Sequence, residues 1–155
     1  MVYVIIKIFQ TVFDINLRQN FYSREVIEES LERADILKLN EDELPVVCDI
    51  FSIGGDEEER ILEIIRRYGL KSVIYTQGAV CSEVYDKDGL VSRMDTPEVN
   101  VADTVGAGDS FTATYVTSLL QGKSQCDAHS LAVKVAAFVC TQRGAINPLP
   151  SDFLS

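Results

Sequence analysis

The stretch VADTVGAGDSFTA, Val101 to Ala113, sets three small residues, Gly106, Ala107 and Gly108, directly before an acid, Asp109, and an apolar run follows. Glycines let a backbone turn sharply and approach a ligand closely. A helix that starts here leaves its first N–H groups without intrahelical partners, and its positive end favours negative charge. Together they form a cradle for an anion. Asp109 sits at the same helix start, where the dipole favours its ionised form. A hydroxyl placed between cradle and acid could give its proton to Asp109 while the N–H groups hold charge developing on a phosphate. The same spacing also suits a plain glycine turn with Asp109 as the helix cap. Two other phosphate loops fail: no G-x-x-x-x-G-K-[ST] run occurs, and a dinucleotide fingerprint would need glycine where Phe111 stands.

The elements that must position this stretch follow from periodicity. TVFDIN ends an apolar run with polar residues, and ADILKLN reads as a short strand ending in Asn40. Ile27 and Leu31 lie one helical turn apart within 24–33. Residues 56–68 put Ile61, Leu62, Ile64, Ile65 and Tyr68 on one stripe, with acids early, Arg66 and Arg67 late, and Gly69 as the stop. SVIYT is a β-branched strand ended by Gly78, and SEVYD and LVSRM flank a KDG hairpin signal. Helices are expected over 108–121 and 127–142, and the GAINPLP tail reads as irregular. Strands alternating with helices imply parallel pairing with helices on both sheet faces. Ligands in such folds sit at the carboxyl ends of strands, where Asn16, Asn40, Thr76 and the 103–109 turn are expected to fall.

Bulk properties narrow the field. The chain has 155 residues, enough for one domain with a real core, and a formal net charge of −10. That charge argues against a nucleic-acid groove but not against phosphate, which backbone N–H groups can bind. Cys48, Cys81, Cys126 and Cys140 are widely spaced without a C-x-x-C, so they read as free thiols in a reducing compartment rather than a zinc site. His129 stands alone on a helix and receives no role. MVYVIIKIFQTVF is shorter than a membrane span and reads as one or two buried strands. A cytoplasmic protein is expected, without membrane or nucleic-acid partners.

DTVGAGDSF resembles the C-terminal signature of the PfkB, or ribokinase-like, carbohydrate kinases. FDINLR resembles the D-x-N-x-R segment of the fructokinase and 2-keto-3-deoxygluconate kinase branches. KLNEDE is similar to the N-x-x-E element, YTQG to the T-x-G strand end, and VCTQRGAINPLP to the segment bordering the nucleotide. The resemblance covers about Phe13 to Pro150. It implies a three-layer α/β/α, Rossmann-like fold with a mostly parallel sheet. It implies ATP-dependent phosphorylation of a sugar hydroxyl, with Asp109 as base and Gly106, Ala107, Gly108 and the Asp109 N–H as the anion hole. It further implies Asn40 and Glu43 organising Mg²⁺ through water. Thr76, Gly78, Gly108 and Gly144 would lie at the nucleotide, Asp103, Val105 and Gly144 at a K⁺ site, and Asn16 and Arg18 at the sugar.

One departure is large. Family members run to about twice this length, and this chain resembles only their C-terminal half. The sheet would then lack strands on its N-terminal side, and its open edge favours self-association or pairing with the missing half. After T-x-G the family commonly has another glycine, where this chain has Cys81 or Ser82. Fructokinase-like activity is the leading expectation, with a 2-keto-3-deoxygluconate or ribose-type kinase as the alternative. A non-catalytic nucleotide-binding fragment and a plain α/β domain are the readings from other classes.

Overall fold

The computed structural model describes residues 10–17, 22–144 and 148–153. The order of elements is β1 (Val12–Asp14), α1 (Arg24–Arg33), β2 (Ile36–Asn40), α2 (Glu43–Phe51), α3 (Glu57–Tyr68), β3 (Ser72–Gln77), β4 (Cys81–Asp86), β5 (Gly89–Asp95), α4 (Ala107–Leu120) and α5 (Gln125–Cys140), followed by a 3₁₀ turn at Ser151–Phe153. The strands hydrogen-bond in the order β1-β2-β3-β4-β5. β1 runs parallel to β2, with Val12, Phe13 and Asp14 opposite Ile36, Leu37 and Lys38. Only three residues join β3 to β4 and two join β4 to β5, connections that antiparallel neighbours alone permit. The described sheet is therefore mixed, with β4 and β5 forming the hairpin expected around KDG. Of the N-terminal apolar stretch, residues 12–14 form β1; residues 1–9 lie outside the described residues.

The described residues form two compact units, one within Met1–Ile74 and Tyr85–Gly89, the other within Tyr75–Val84 and Leu90–Ser155. In the first, the apolar stripes read from the sequence face inward. Ile27, Leu31, Ile36, Leu37, Leu39, Leu44, Val47, Ile61, Ile64 and Ile65 are all essentially inaccessible. Burial of each such side chain contributes about 1.5–3 kcal/mol relative to leaving it exposed. Ser23 opens α1 by accepting the Val26 N–H, and Gly69 closes α3 at a φ of +65°. Arg67 donates to the Phe51 carbonyl at 3.1 Å, fastening α3 to the end of α2.

α3 also starts on a capping box. Asp56 accepts the Glu59 N–H at 2.9 Å while Glu59 accepts the Asp56 N–H at 3.0 Å. Asp56→Ala removes the cap but no core contact. It is expected to cost about 1 kcal/mol, seen as a lower urea midpoint at unchanged m.

In the second unit α4 packs along α5, and Tyr115, Ala128, Ala132 and Val135 are buried. α4 and α5 each lie one or two residues N-terminal to their expected positions. A cavity of about 250 Å³ lies along α4 and α5, lined by residues including Thr117, Gln121, Leu131 and Phe153; no residue of the 103–110 loop borders it.

Candidate active site

In the second unit, Gly106 is the residue that makes the turn before α4. It is the N-cap, with φ +83° and ψ −4°, a left-handed conformation that L side chains rarely adopt. Gly108 lies inside the helix and needs no such freedom, so only one of the two glycines is required by backbone shape. Ser110 N–H reaches back to the Gly106 carbonyl at 2.9 Å, and Ala107 N–H bonds the Thr104 carbonyl at 3.3 Å. The N–H groups of Gly108 and Asp109 fall in the first turn, where a helix offers them no acceptor. Asp109 is in that same turn and exposed. Of the expected anion hole, Gly106, Ala107, Gly108 and the Asp109 N–H, the Ala107 N–H is thus taken by Thr104, and the N–H groups of Gly108 and Asp109 stand beside the acid.

The loop ahead of this turn is fastened at both ends. At its start, Thr96 donates its hydroxyl to the Gly78 carbonyl at 3.0 Å and its N–H to the Val80 carbonyl at 3.0 Å. At its end, the N–H groups of Ala102 and Asp103 bond the Cys140 carbonyl at the close of α5. Asp103 then accepts the N–H groups of Val105 at 3.0 Å and Gly144 at 3.2 Å. These backbone donors, Val105 first, hold the Asp103 carboxyl below the ordinary carboxylate range. Asp103, Val105 and Gly144, grouped by the resemblance, are joined by hydrogen bonds in one corner. The 103–109 turn follows this long loop rather than a strand end, because β5 stops at Asp95. Thr76 lies in β3 one residue before its end, and Gly78 follows with φ +49°.

In the first unit Asn40 and Glu43 form a reciprocal clasp. Asn40 Oδ1 accepts the N–H groups of Asp42 at 2.9 Å and Glu43 at 3.0 Å, and Glu43 Oε2 accepts the Asn40 N–H at 2.9 Å. Glu43 Oε1 accepts the Leu17 N–H at 2.9 Å, just past the exit of β1. Glu43 is 7% exposed. The N-x-x-E pattern therefore ties the ends of β1 and β2 to the start of α2. Asn16 stands in that exit loop with φ +42°. Arg18 lies outside the described residues. Sequence reasoning also missed the Asp14–Lys38 ion pair beside this clasp, whose signal was a lysine inside the apolar run ILKLN.

Comparison with known proteins decides the family. The model of the pfkB family carbohydrate kinases matches residues 5–152, a wider span than the motifs alone covered. The chain belongs to the PfkB family. It is 28% identical over 150 residues to a fructokinase from Escherichia coli, covering 89% of this chain and 47% of the relative. It is 31% identical over 147 residues to 2-dehydro-3-deoxygluconokinase from Escherichia coli strain K12, covering 90% and 46%. A fructokinase from Xylella fastidiosa, solved with bound ATP, superposes with a TM-score of 0.76 at 20% identity, covering 88% of this chain and 47% of that one. At that identity the likeness shows the fold, which is the ribokinase-like α/β fold. This PfkB chain spans about half the length of these relatives or less.

Among the described residues no group of three or more His, Cys, Asp or Glu side chains is placed to share a metal ion. Among them no helix is long and apolar enough to cross a membrane.

Proposed function

We propose that this chain carries the nucleotide-phosphate and base half of a sugar kinase that transfers the γ-phosphoryl group of ATP to a sugar hydroxyl, with a fructokinase-like substrate. The observation that carries the reading is the α4 start: Gly106 in a left-handed turn, the first-turn N–H groups of Gly108 and Asp109, and the Asp109 carboxylate within three residues. The hydroxyl oxygen attacks phosphorus, the bond from phosphorus to the ADP oxygen breaks, and the hydroxyl proton passes to Asp109. The N–H groups hold the charge on the transferring group, which in a loose transition state is the larger part of the work.

Mg²⁺ in such a site typically keeps several waters and uses one or two carboxylates. Glu43 fits that role. Each of its oxygens accepts one N–H and has capacity for a second contact, which suits a metal-bound water. Asn40 fits it less well, because two N–H groups already occupy its oxygen and its amide NH₂ can only donate. A donor there suits a phosphate oxygen. The Asp103–Val105–Gly144 corner would offer the carbonyls for K⁺, Thr76 and Gly78 would border the nucleotide, and Asn16 with Arg18 would meet the sugar. The expectations of a cytoplasmic protein and of association through an open sheet edge belong to the same proposal.

A second reading is a nucleotide-binding fragment without turnover, and the half-length coverage favours it. Titration calorimetry of Mg·ATP into the wild type, Asp109→Asn and Gly108→Val tests the site itself. Binding is expected in the first two and loss in the third, where a branched side chain would crowd the first turn. Absence of binding in all three would overturn both readings. Phosphate transfer by the isolated chain would remove the second.

A further inference from the structure

The second unit buries a histidine that the proposed chemistry leaves unused. His129 lies on α5 and is fully inaccessible. Its Nε2 stands 2.8 Å from Ser82 Oγ on β4, and its Nδ1 2.8 Å from Ser92 Oγ on β5. A neutral imidazole donates from one nitrogen and accepts at the other, so both ring nitrogens are satisfied. Both serines are buried as well. Three polar side chains thus meet in a core that elsewhere holds Val84, Ala128 and Ala132. Burying polar groups costs free energy that their hydrogen bonds largely offset, and apolar residues would fill the space without that cost. What a satisfied buried network adds is one fixed arrangement.

The arrangement it fixes reaches the start of α4. The Phe111 ring meets the imidazole edge-on, with centroids 5.8 Å apart and planes at 64°. Phe111 is the first buried residue of α4 and stands two positions after Asp109. The Cα–Cβ bonds of a helix tilt toward its N-terminus, so the patch that Phe111 covers lies under the preceding turn, the turn of Gly108 and Asp109. The anion turn therefore rests on Phe111, Phe111 on His129, and His129 on both strands of the β4–β5 hairpin. The same hairpin anchors the loop that leads into α4, through the bonds of Thr96 to the Gly78 and Val80 carbonyls just before β4. Both ends of that loop are thus referred to one rigid element.

We propose that His129 is a positioning residue for the phosphate cradle: Ser82 and Ser92 fix its ring, and the ring seats Phe111 and with it the first turn of α4. The proposal rests on the reading of that turn as the phosphate site. His129 is not a catalytic group and moves no proton. It acts through Phe111, by setting where the Gly108 and Asp109 N–H groups stand. Donors aimed at a phosphoryl group work by being held in place beforehand, so a small displacement of the turn weakens them.

The test titrates Mg·ATP and inorganic tripolyphosphate by calorimetry into wild type, His129→Leu, Phe111→Leu, these two combined, and the triple variant Ser82→Ala, Ser92→Ala, His129→Leu. Gly108→Val runs alongside, and thermal midpoints are recorded for each. His129→Leu strands two serine hydroxyls in the core and lowers the midpoint. The triple variant removes all three polar groups together and recovers it. Binding then separates position from stability: both probes are expected to bind the triple variant about tenfold more weakly than wild type, although it is as stable. Phe111→Leu weakens binding to a similar degree, and combining it with His129→Leu weakens it no further, because both act through one contact. Wild-type affinity in the triple variant, or losses that simply add in the Phe111–His129 pair, overturns the proposal. Loss of binding in Gly108→Val with the triple variant binding as wild type removes this proposal and leaves the cradle standing. Absence of binding to wild type removes the cradle and this proposal with it.

Discussion

Asp109→Asn is expected to lower the rate of phosphoryl transfer by about 10²–10⁴-fold while Mg·ATP binds within a few-fold of wild type. Asparagine keeps the size of the side chain and its place in the first turn of α4, and loses the charge and the basicity. The lost basicity is what the hydroxyl proton needs. The lost charge is unfavourable to the helix start by only about 0.3–1 kcal/mol, so unfolding cannot account for the effect. Removing a negative charge beside a polyphosphate can only favour its binding, which separates this variant from one that damages the cradle. A coupled assay and calorimetry on one preparation read both quantities. Affinity for Mg·ATP lost together with the rate would mean that Asp109 shapes the anion site instead of serving as base. An unchanged rate would move the base elsewhere. The base is not expected to exceed this range, because the loose transition state places most of the demand on charge neutralisation and positioning.

The parts of the site legible in the sequence were those in which neighbouring residues do the work. The α4 turn is local: Gly106, Gly108 and Asp109 lie within four positions, and only the assignment of the left-handed turn to Gly106 alone needed coordinates. The apolar stripe of α3 and its stop at Gly69 were likewise visible, since the residues that form them are a few positions apart. α2 escaped notice although Leu44, Val47, Cys48 and Phe51 are buried at helical spacing. Pro45 and two valines disguise it. The proline sits in the first turn, where its missing N–H costs nothing. Long-range partners were invisible. Nothing in the sequence announces that Glu43 reaches back to Leu17, 26 positions away. The antiparallel β4–β5 pair was legible in its KDG turn, whereas nothing local marked the β3–β4 turn. His129 is the fullest case: a lone histidine has no local signal, and its two partners lie 47 and 37 positions away.

That histidine is expected to make the second unit sensitive to acid. His129 is fully inaccessible, with Nε2 2.8 Å from Ser82 Oγ on β4, Nδ1 2.8 Å from Ser92 Oγ on β5, and the Phe111 ring edge-on at 5.8 Å. The neutral ring gives one serine a hydrogen and takes one from the other. The charged ring could donate to both, so hydrogen bonding does not forbid protonation. Burial does, and it lowers the pKa from 6.5 to about 4. Above pH 6.5 the ring is neutral in both folded and unfolded chains, and its protonation does not affect stability. As pH falls below 6.5 the unfolded chain takes up a proton that the folded chain refuses. Stability is therefore lost between about pH 6.5 and pH 4, by up to about 3 kcal/mol, and the loss levels off below. His129→Gln should be less stable than wild type at pH 7, because a glutamine cannot satisfy both serines across the same span. That gap should narrow by most of 3 kcal/mol at pH 4, where only the wild type bears the cost of refusing a proton. Carboxylates titrate alike in the two proteins and cancel in the comparison. Urea unfolding of both at pH 7, 5.5 and 4 measures it. Parallel losses across that range would mean that the ring protonates inside the fold, with Ser82 and Ser92 as acceptors strong enough to hold the charge.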